Sequence, residues 1–259
     1  MEAAAAALAR CEHAIALTGA GISVESGIPD FRSPGGLWEK FNPMEYATID
    51  TFLEHPERSW EMFTEVEQIL AAAAPNPGHA ALARLEAMGI VRSVITQNID
   101  GLHQRAGSKV VREFHGTHAH LHCVECGRRY GADHTIDEIP PRCDCGAPLK
   151  PAVILFGEAI PEQAAAESNA DARSCDGILV VGTSAEVYPA AAIPRLVAQR
   201  GKPVIVVDRM ETALAQEYPA LFVRGLAGDV LPALVERVSE LRDSPVENAR
   251  PLVPSGVSS

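Results

Sequence analysis

The fold is set by the stretch GAGISVESGIPDFR, residues 19–32, which directly follows the apolar run Ala14–Thr18. A short apolar run of this kind predicts a buried strand of a parallel sheet, and glycines directly after it let backbone amides approach a pyrophosphate. The stretch departs from the dinucleotide-binding fingerprint, because Val24 stands where the third glycine belongs and no acidic strand end follows about 20 residues later. We therefore predict a dinucleotide site that is built differently from that of a hydride-transfer enzyme.

The composition favours one large α/β domain with room for a small insertion, since the chain has 259 residues and 47% of them are hydrophobic. No apolar run approaches the ~18 residues that cross a membrane. The alanine-rich start carries Glu2 and no basic n-region, so it predicts a first helix rather than a signal peptide. From these features we expect a cytoplasmic protein with no membrane partner, and we also expect a monomer.

The formal net charge of −12 argues against a nucleic-acid partner, which needs a broad positive surface. The cysteine-rich segment in the middle of the chain carries no stripe of basic residues either. An acidic chain suits a cationic partner such as a lysine-bearing peptide, although an acidic surface often serves only solubility.

Short β-rich runs alternate with helical patterns over most of the chain, and each run leads into a polar or glycine-rich turn. Such alternation predicts a doubly wound parallel sheet, in which ligands bind at the carboxyl ends of the strands. The predicted strands are 14–18, 91–96, 177–182 and 203–208, and the predicted helices are 56–70, 78–88, 161–174, 189–200 and 230–241.

Four cysteines lie close together in a segment that interrupts this alternation. Cys123 and Cys126 are separated by two residues, and Cys143 and Cys145 by one. Two such thiolate pairs on tight turns can surround a zinc ion as a tetrahedron, and four protein thiolates leave no open position for catalysis. We predict a structural zinc site; the alternatives are that His122 replaces one thiolate or that the thiols are free.

A group of polar residues follows the predicted strand 91–96. The run QNID, residues 97–100, places a carboxamide and a carboxylate at a strand end, although an Asx-rich turn alone can also explain it. His115 lies between an aromatic residue and a glycine, a setting that also suits a buried core histidine. Together with the stretch 19–32 these residues favour a catalytic site, in which the imidazole is the natural general base for a hydroxyl nucleophile.

Two further strand ends can contribute to the same site. The strand predicted at 177–182 runs into Gly182-Thr183-Ser184, small residues whose amides can bind phosphate or ribose. The strand predicted at 203–208 ends in Asp208, whose carboxylate can bind a ribose. Each feature alone is a common transition from strand to loop.

In this order, the motifs resemble those of the sirtuin family, the NAD-dependent protein lysine deacylases. The resemblance covers about residues 8–238 and is of the compact bacterial and archaeal kind. The matching motifs are Gly19-Ala20-Gly21-Ile22-Ser23, Gly27-Ile28-Pro29-Asp30-Phe31-Arg32, Thr96-Gln97-Asn98-Ile99-Asp100-Gly101-Leu102-His103, His115-Gly116, the four cysteines, Phe156-Gly157-Glu158, Gly182-Thr183-Ser184 and Gly228-Asp229-Val230.

The resemblance implies a Rossmann-like parallel sheet with helices on both faces and a small zinc-binding domain, with the substrate peptide in the cleft between them. It also implies that NAD is consumed as a co-substrate. In the family mechanism the acyl oxygen attacks C1′ of the nicotinamide ribose and nicotinamide leaves. The histidine matching His115 then activates a ribose hydroxyl that attacks the acyl carbon, so the products are nicotinamide, O-acyl-ADP-ribose and free lysine.

Matched position by position, the resemblance assigns catalytic roles to His115 and Asn98, and it assigns to Phe31 the shielding of the reacting ribose. The peptide is expected to add as a strand along the protein backbone. The implied cofactor-binding residues are Gly19, Ala20, Gly21, Ser23, Asp30, Phe31, Arg32, Gln97, Asn98, Ile99, Asp100, Gly182, Thr183, Ser184, Asp208 and Ala227; the implied peptide-binding residues are Val153, Phe156 and Gly157; the implied zinc ligands are Cys123, Cys126, Cys143 and Cys145.

Family members that remove succinyl or malonyl groups carry Tyr-x-x-Arg in the helix after the cofactor loop, where the guanidinium binds a carboxylate. At the matching place this chain has Phe63 and Val66, which also fit an amphipathic helix. We therefore predict a preference for neutral acyl groups, either acetyl or a longer hydrophobic chain. A second departure from the family pattern is the shortened pair Cys143-x-Cys145.

Three other functions use some of the same features. Transfer of a single ADP-ribose to protein is the nearest alternative, because the same site can support it. A non-hydrolytic NAD-sensing or acyl-lysine-binding module is disfavoured by the presence of both Asn98 and His115. A Rossmann oxidoreductase is disfavoured by Val24 and by the missing acidic ribose ligand.

The expected domain organisation is discontinuous, with a tail rich in proline and serine that is expected to be disordered. The expected parts are a Rossmann-like NAD-binding domain at 1–32, 89–115 and 150–243, the cofactor loop and a helical insertion of the small domain at 33–88, a zinc-binding module at 116–149, and the tail at 244–259.

Overall fold

The computed structural model describes residues 1–31, 34–131 and 138–243. Arg32 and the tail 244–259, both subjects of predictions above, lie outside the described residues. The helices are α1 (Glu2–Ala9), α2 (Leu37–Lys40), α3 (Pro43–Tyr46), α4 (Ile49–Glu54), α5 (Pro56–Ala72), α6 (Pro77–Ala87), α7 (Leu102–Arg105), α8 (Glu162–Ser174), α9 (Ala192–Gln199), α10 (Ala213–Glu217) and α11 (Ala227–Asp243). The strands are β1 (Ala14–Thr18), β2 (Val91–Thr96), β3 (Val111–Glu113), β4 (Gly116–Cys123), β5 (Arg129–Tyr130), β6 (Leu149–Val153), β7 (Gly177–Val181), β8 (Val204–Asp208) and β9 (Leu221–Arg224).

Six strands form a parallel sheet in the order β3-β2-β1-β7-β8-β9. Every residue of β1 and β7 is buried, as expected for parallel strands that are covered on both faces. The chain extends the sheet on one side of β1 through β2 and on the other side through β7, so the strand order reverses between β1 and β7. Open parallel sheets have their ligand crevice at such a point, outside the carboxyl ends of the strands.

Two hydrophobic cores hold helices to the two faces of this sheet. On one face, α1, α6 and α11 contribute Leu8, Leu82 and Leu234, none of which is more than 1% exposed. On the other face, α8 and α9 contribute Ala172 and Val197, which are both fully buried. Burying one such leucine stabilises the fold by about 2 kcal/mol. Packing on both faces therefore fixes the position of the strand ends that carry the predicted site.

A smaller unit has its own core, formed by α2 to α5 together with the antiparallel sheet β5-β4-β6. Trp60 of α5 joins the two parts, because its Nε1 donates a hydrogen bond to the Leu149 carbonyl at 2.8 Å and its side chain is buried. Cys123 and Cys143 belong to the same core. The cysteine segment and the helices that follow the cofactor loop therefore form one folded body.

The prediction of a parallel sheet with helices on both faces is confirmed. The bounds of β1 and β2 are those predicted, and β7 and β8 are each one residue shorter than predicted. The edge strands β3 and β9 were not predicted. The domain boundaries stay a prediction; within the segment 33–88, α6 packs in the core of the large sheet with α11. Among the described residues, no helix has the length and apolar character needed to cross a membrane.

Candidate active site

The glycine-rich stretch after β1 lies directly against the loop after β7. The Gly21 N–H donates to the Gly182 carbonyl at 2.9 Å, and the Gly19 N–H donates to the Val181 carbonyl at 3.1 Å. A Cβ atom added to Gly21 would lie 2.6 Å from the Gly182 Cα, which is closer than two carbon atoms approach. Glycine at this position is therefore required by close packing of two backbones at the switch point of the sheet.

Asn98 is held by the same glycine-rich stretch. Its Nδ2 donates to the Gly19 carbonyl at 3.2 Å and to Ser23 Oγ at 3.0 Å, and the residue is 7% exposed. Ser23 Oγ donates to Asp100 Oδ2 at 2.7 Å, and Asp100 Oδ1 accepts the Leu102 N–H at 2.9 Å. Because both amide hydrogens of Asn98 have acceptors, its Oδ1 is the atom that remains to accept a hydrogen bond from a ligand.

His115 is anchored through one ring nitrogen. Its Nδ1 lies 3.2 Å from the Gln97 carbonyl, and since a carbonyl only accepts, Nδ1 carries the proton and Nε2 carries the lone pair. Burial lowers the pKa of His115 from its usual 6.5, and the hydrogen bond to Gln97 opposes this shift only in part. Gln97 is itself fixed, because its Nε2 donates to Thr183 Oγ1 at 3.0 Å. The imidazole is therefore neutral near pH 7 and can accept a proton at Nε2.

A buried layer of polar side chains lies behind Ser23 and was not predicted. The rings of His79 and His103 are 4.9 Å apart, and both residues are fully buried. His79 Nε2 is 3.4 Å from Ser23 Oγ, and burial lowers the pKa of His79 to about 4. Burial, together with nearby His79, lowers the pKa of His103 to about 3. The available signal was the capping box of α6, in which Asn76 is the N-cap and His79 is the third helical residue.

Most of the residues that the resemblance assigns to cofactor and peptide line one cavity of about 720 Å³ at the carboxyl edge of the large sheet. This volume is that of a cofactor or small-molecule site. Arg32 is the exception, because it lies outside the described residues. The cavity is lined by the assigned residues Gly19, Ala20, Gly21, Ser23, Asp30, Phe31, Gln97, Asn98, Ile99, Asp100, His115, Val153, Phe156, Gly157, Gly182, Thr183, Ser184, Asp208 and Ala227.

One wall of the cavity is apolar and comes from α5. The residues of this wall are Met62, Phe63, Val66, Ile69 and Leu70. Their spacing is that of one face of a helix, so the face could be read from the sequence as amphipathic but not as part of a cavity. None of the residues that α5 contributes to the cavity is charged. The wall therefore suits a neutral carbon chain rather than a carboxylate.

Three aromatic rings connect the cofactor loop with the predicted peptide-binding segment. The ring centroids of Phe31 and Trp38 are 5.0 Å apart, and those of Trp38 and Phe156 are 6.3 Å apart. Phe31 and Phe156 are exposed, whereas Trp38 is only partly so. The rings form part of the cavity lining, and Trp38 is a member that the motifs did not identify.

The segment 153–157, along which the peptide is predicted to bind, is attached to both sides of the cavity. The Ile154 N–H donates to the His115 carbonyl at 2.9 Å. The Phe156 N–H donates to the Ala47 carbonyl at 2.9 Å, and this bond ties the segment to the small unit. The segment therefore has a fixed position relative to the histidine.

The other end of the cavity is formed by β8 and α11. Asp208 Oδ1 accepts the Met210 N–H at 3.1 Å, and Ala227 is the first residue of α11. Glu25 Oε2 accepts the Gly228 N–H at 2.7 Å, at the start of the same helix. The glycine-rich stretch is thus fixed to α11 as well as to the loop after β7.

The four predicted zinc ligands come together, with their sulfur atoms within 4.8 Å of one another. The sulfurs of Cys123 and Cys145 are 3.6 Å apart, and those of Cys126 and Cys143 are 3.5 Å apart. A tetrahedral zinc ion with Zn–S bonds of ~2.3 Å separates its sulfurs by roughly 3.8 Å, so this donor set fits zinc. His122 is not part of the cluster that the described residues form. Four thiolates close the coordination sphere, so the zinc is structural.

Comparison with known proteins agrees with this geometry. A model of the Sir2 family matches residues 19–189. NAD-dependent protein deacylase 2 of Pyrobaculum aerophilum is 47% identical over 232 residues, which are 89% of this chain and 93% of that protein. A Sir2 homolog solved in complex with NAD is 38% identical, with a TM-score of 0.86 over 93% of this chain and 95% of its own. A Sir2 protein solved with a myristoylated histone peptide is 39% identical, with a TM-score of 0.78 over 93% of this chain and 97% of its own. This chain therefore belongs to the Sir2 family.

Proposed function

We propose that this protein removes acyl groups from protein lysine side chains and consumes NAD as a co-substrate. The observation that carries the proposal is the position of His115, whose neutral imidazole shares one cavity with Asn98, Asp100 and the segment 153–157. The balanced reaction converts acyl-lysine, NAD and water into lysine, nicotinamide and O-acyl-ADP-ribose. Relatives with 43% to 47% identity are named as NAD-dependent protein deacylases, which supports the same reaction here.

His115 is the general base of this reaction. The Gln97 carbonyl fixes the tautomer by accepting from Nδ1, so Nε2 takes the proton from a ribose hydroxyl. The hydroxyl oxygen then attacks the acyl carbon that has been joined to the ribose. A positioned base of this kind contributes about 10²- to 10⁴-fold to the rate.

Asn98 and Asp100 hold the nicotinamide end of NAD. The Oδ1 of Asn98 is the acceptor that its own hydrogen bonds leave available, and both side chains are oriented through Ser23. Because Ser23 is supported from behind by His79, the arrangement is set before a ligand arrives. Ser184, Asp208 and Ala227, at the other end of the cavity, surround the adenosine half.

The acyl group is neutral, either acetyl or a longer hydrophobic chain. Phe63 and Val66 of α5 line the cavity where a Tyr-x-x-Arg pair would bind a carboxylate, and Leu70 extends the apolar wall. A related protein binds a myristoylated peptide, which supports the longer chain as a substrate here. The zinc ion takes no part in the reaction, because all four of its positions are filled by thiolates.

Protein mono-ADP-ribosyl transfer is not favoured as the main activity, since the relatives reported above are named as deacylases. The net charge of −12 supports the proposal that nucleic acid is not a partner. A monomeric state, a cytoplasmic location and the lack of a membrane partner stay predictions.

The test is a panel of peptides with one sequence and different acyl groups on the lysine. The purified protein is incubated with NAD and acetyl-, decanoyl-, myristoyl- or succinyl-lysine peptide, and the products are identified by mass spectrometry. We expect peptide-dependent release of nicotinamide, formation of O-acyl-ADP-ribose and free lysine, with succinyl the poorest substrate. Nicotinamide release that yields only ADP-ribosylated protein would overturn the proposal.

A further inference from the structure

Lys150 of β6 is a buried charged residue to which the proposed reaction gives no role. It is 0% exposed and is among the largest fully buried side chains of the described residues. Burying an ammonium group costs several kcal/mol unless the charge is paired and its hydrogen bonds are satisfied. The Lys150 Nζ lies 3.0 Å from Glu158 Oε2 and donates to the Val153 carbonyl at 2.5 Å. It also donates to the Pro151 carbonyl at 3.5 Å, so its partners are a carboxylate, a carbonyl of β6 and the first residue of the predicted peptide-binding segment.

Glu158 directly follows the segment 153–157 and forms hydrogen bonds back to it. Its Oε2, which faces Lys150, also accepts the Leu155 N–H at 2.7 Å. The backbone N–H of Glu158 donates to the Leu155 carbonyl at 3.0 Å. One carboxylate oxygen thus joins the buried ammonium group to a backbone amide in the middle of the segment 153–157.

The groups that this pair binds are backbone groups. A peptide that adds as a strand is recognised through main-chain hydrogen bonds, so its affinity depends on the direction of each N–H and C=O along the edge. Lys150 donates a hydrogen bond to the Val153 carbonyl, and Glu158 accepts one from the Leu155 N–H. These two backbone groups therefore point into the protein. Between them, the Ile154 N–H is bonded to the His115 carbonyl. The pair therefore fixes the backbone at Val153 and at Leu155, the residues on either side of Ile154, which contacts the proposed base.

Stability alone does not account for such a pair. Replacing a buried ion pair with apolar residues of similar volume is often neutral or stabilising, whereas removing one partner leaves a costly unpaired charge. Two well-chosen apolar side chains could fill the same space, but they could not bind the Val153 carbonyl or the Leu155 amide.

We propose that Lys150 and Glu158 are positioning residues that orient the segment 153–157 for binding of the acyl-lysine peptide and for alignment of its acyl group with His115. The proposal rests on the proposed function, since it assigns the segment 153–157 to the peptide. Lys150 does not line the cavity, whereas Glu158 is partly exposed and does line it. Both residues act through the hydrogen bonds that they make with the backbone of the segment.

The test compares single and double variants in thermal stability, in peptide binding and in steady-state kinetics. Lys150→Met leaves Glu158 unpaired, so we expect a lower melting temperature and a raised KM for the peptide. The double variant Lys150→Met/Glu158→Leu removes both charges, so we expect the melting temperature to recover while the peptide KM stays about tenfold above that of the wild type. The KM for NAD should change by less than about twofold, because Lys150 does not line the cavity and Glu158 directly follows the predicted peptide-binding segment.

Two further variants complete the series. Glu158→Gln keeps an acceptor for the Leu155 N–H and should raise the peptide KM by about threefold, between the wild type and the double variant. The matched control is Arg237→Met/Glu2→Leu, which removes an exposed ion pair with a 2.9 Å N–O distance. Neither residue lines the cavity, so the peptide KM should be unchanged.

Peptide affinity is also measured without NAD, by fluorescence anisotropy of a labelled acetyl-lysine peptide. A double variant that recovers both melting temperature and wild-type peptide affinity would show that the pair serves only the fold, and it would overturn the proposal. An equal rise in the KM for NAD and for the peptide would do the same. Failure of the proposed function appears separately, as a wild-type protein that forms no deacylated product, whatever the variants bind.

Discussion

The large parallel sheet and the small zinc-bearing unit are stabilised by different kinds of interaction. The large sheet has a hydrophobic core on each face, and its site residues are fixed by direct backbone contacts such as that between Gly21 and Gly182. The small unit has one core, and the four-cysteine cluster and the ion pair between buried Lys150 and partly exposed Glu158 add to it. The difference suggests a division of tasks: the sheet carries the residues proposed for the chemistry, and the small unit carries the apolar wall proposed to face the acyl chain.

The largest effect is expected at the proposed base. His115→Ala removes the group that takes the proton but leaves the hydrogen bonds of Asn98, Ser23 and Asp100 intact. We expect the rate of O-acyl-ADP-ribose formation to fall by about 10²- to 10⁴-fold, with NAD binding nearly unchanged. The measurement is product formation under saturating peptide and NAD.

The matched control is His55→Ala, a substitution of an exposed histidine outside the cavity. It should keep full activity. If His115→Ala retained more than about a tenth of the wild-type rate, a different group would be the base, because a positioned base contributes at least about 10²-fold.

A second prediction concerns the small unit alone. Cys145→Ser removes one thiolate of the cluster, and three thiolates with a hydroxyl bind zinc much more weakly. We expect loss of stoichiometric zinc, loss of amide protection in β4 and β6, and a fall in activity of about tenfold or more, because the segment 153–157 continues from β6. Protection of β1 and β7 should persist, because neither of the two cores on the large sheet contains a ligand cysteine.

Zinc content is measured by mass spectrometry and amide protection by hydrogen exchange. Cys175→Ser, at a buried cysteine outside the cluster, is the control and should retain zinc. A Cys145→Ser protein that lost protection equally in β1 and β4 would contradict the view that the two regions are stabilised separately.

The two regions also differ in how far the sequence predicts them. Short runs rich in apolar and β-branched residues gave the bounds of β1 and β2 without error, because strands covered on both faces are mostly apolar and end at turns. The helices α2 to α4 have four to six residues each, which is too short for a helical period to be recognised. The small unit is therefore harder to predict, since its order depends on contacts between segments that are distant in the sequence.

The sequence also predicts some residues of the site and misses others. The motifs predict roles for His115 and the four cysteines, because a general base and a zinc site each require particular residue types at those places. His79 is marked only by its place in the capping box of α6, and Lys150 has no signature, because their roles depend on burial behind Ser23 and beneath the segment 153–157. Spacing along the chain contains no information about which polar side chain ends up without solvent.

A third prediction concerns acyl specificity: two substitutions in the small unit should shift the preference from neutral acyl groups towards succinyl. Phe63→Tyr together with Val66→Arg places a phenol and a guanidinium in the apolar wall of α5, where the guanidinium can pair with a carboxylate. We expect kcat/KM for a succinyl-lysine peptide to rise by about tenfold and that for a myristoyl-lysine peptide to fall. Both are measured by nicotinamide release.

The control for added charge is Glu61→Arg, because Glu61 is exposed on the same helix and does not line the cavity. It should leave the ratio of succinyl to acetyl turnover unchanged. If the double substitution lowered turnover of every acyl group alike, the wall would serve packing rather than acyl choice.

The smallest effect is expected from pH, and it concerns the residue at which the two regions meet. His115 donates from Nδ1 to Gln97 on the large sheet, and its carbonyl accepts from Ile154 of the peptide segment. Catalysis needs the neutral ring, so activity is present above the pKa of His115 and is lost as the pH falls through it. Because burial lowers this pKa from 6.5, kcat/KM should stay constant from pH 8 down to about 6.5 and decline only below that.

The profile is measured for an acetyl-lysine peptide between about pH 5 and 8, a window above the pKa values of about 4 for His79 and about 3 for His103. Those two rings stay neutral throughout, so the support behind Ser23 is unchanged and the acidic limb reports His115. An acidic limb with its midpoint above pH 6.5 would mean that a charge stabilises the protonated imidazole. The His115 ring would then interact with a negative charge on the peptide side more strongly than burial in the sheet disfavours its protonation, because burial among neutral groups is what keeps its pKa low.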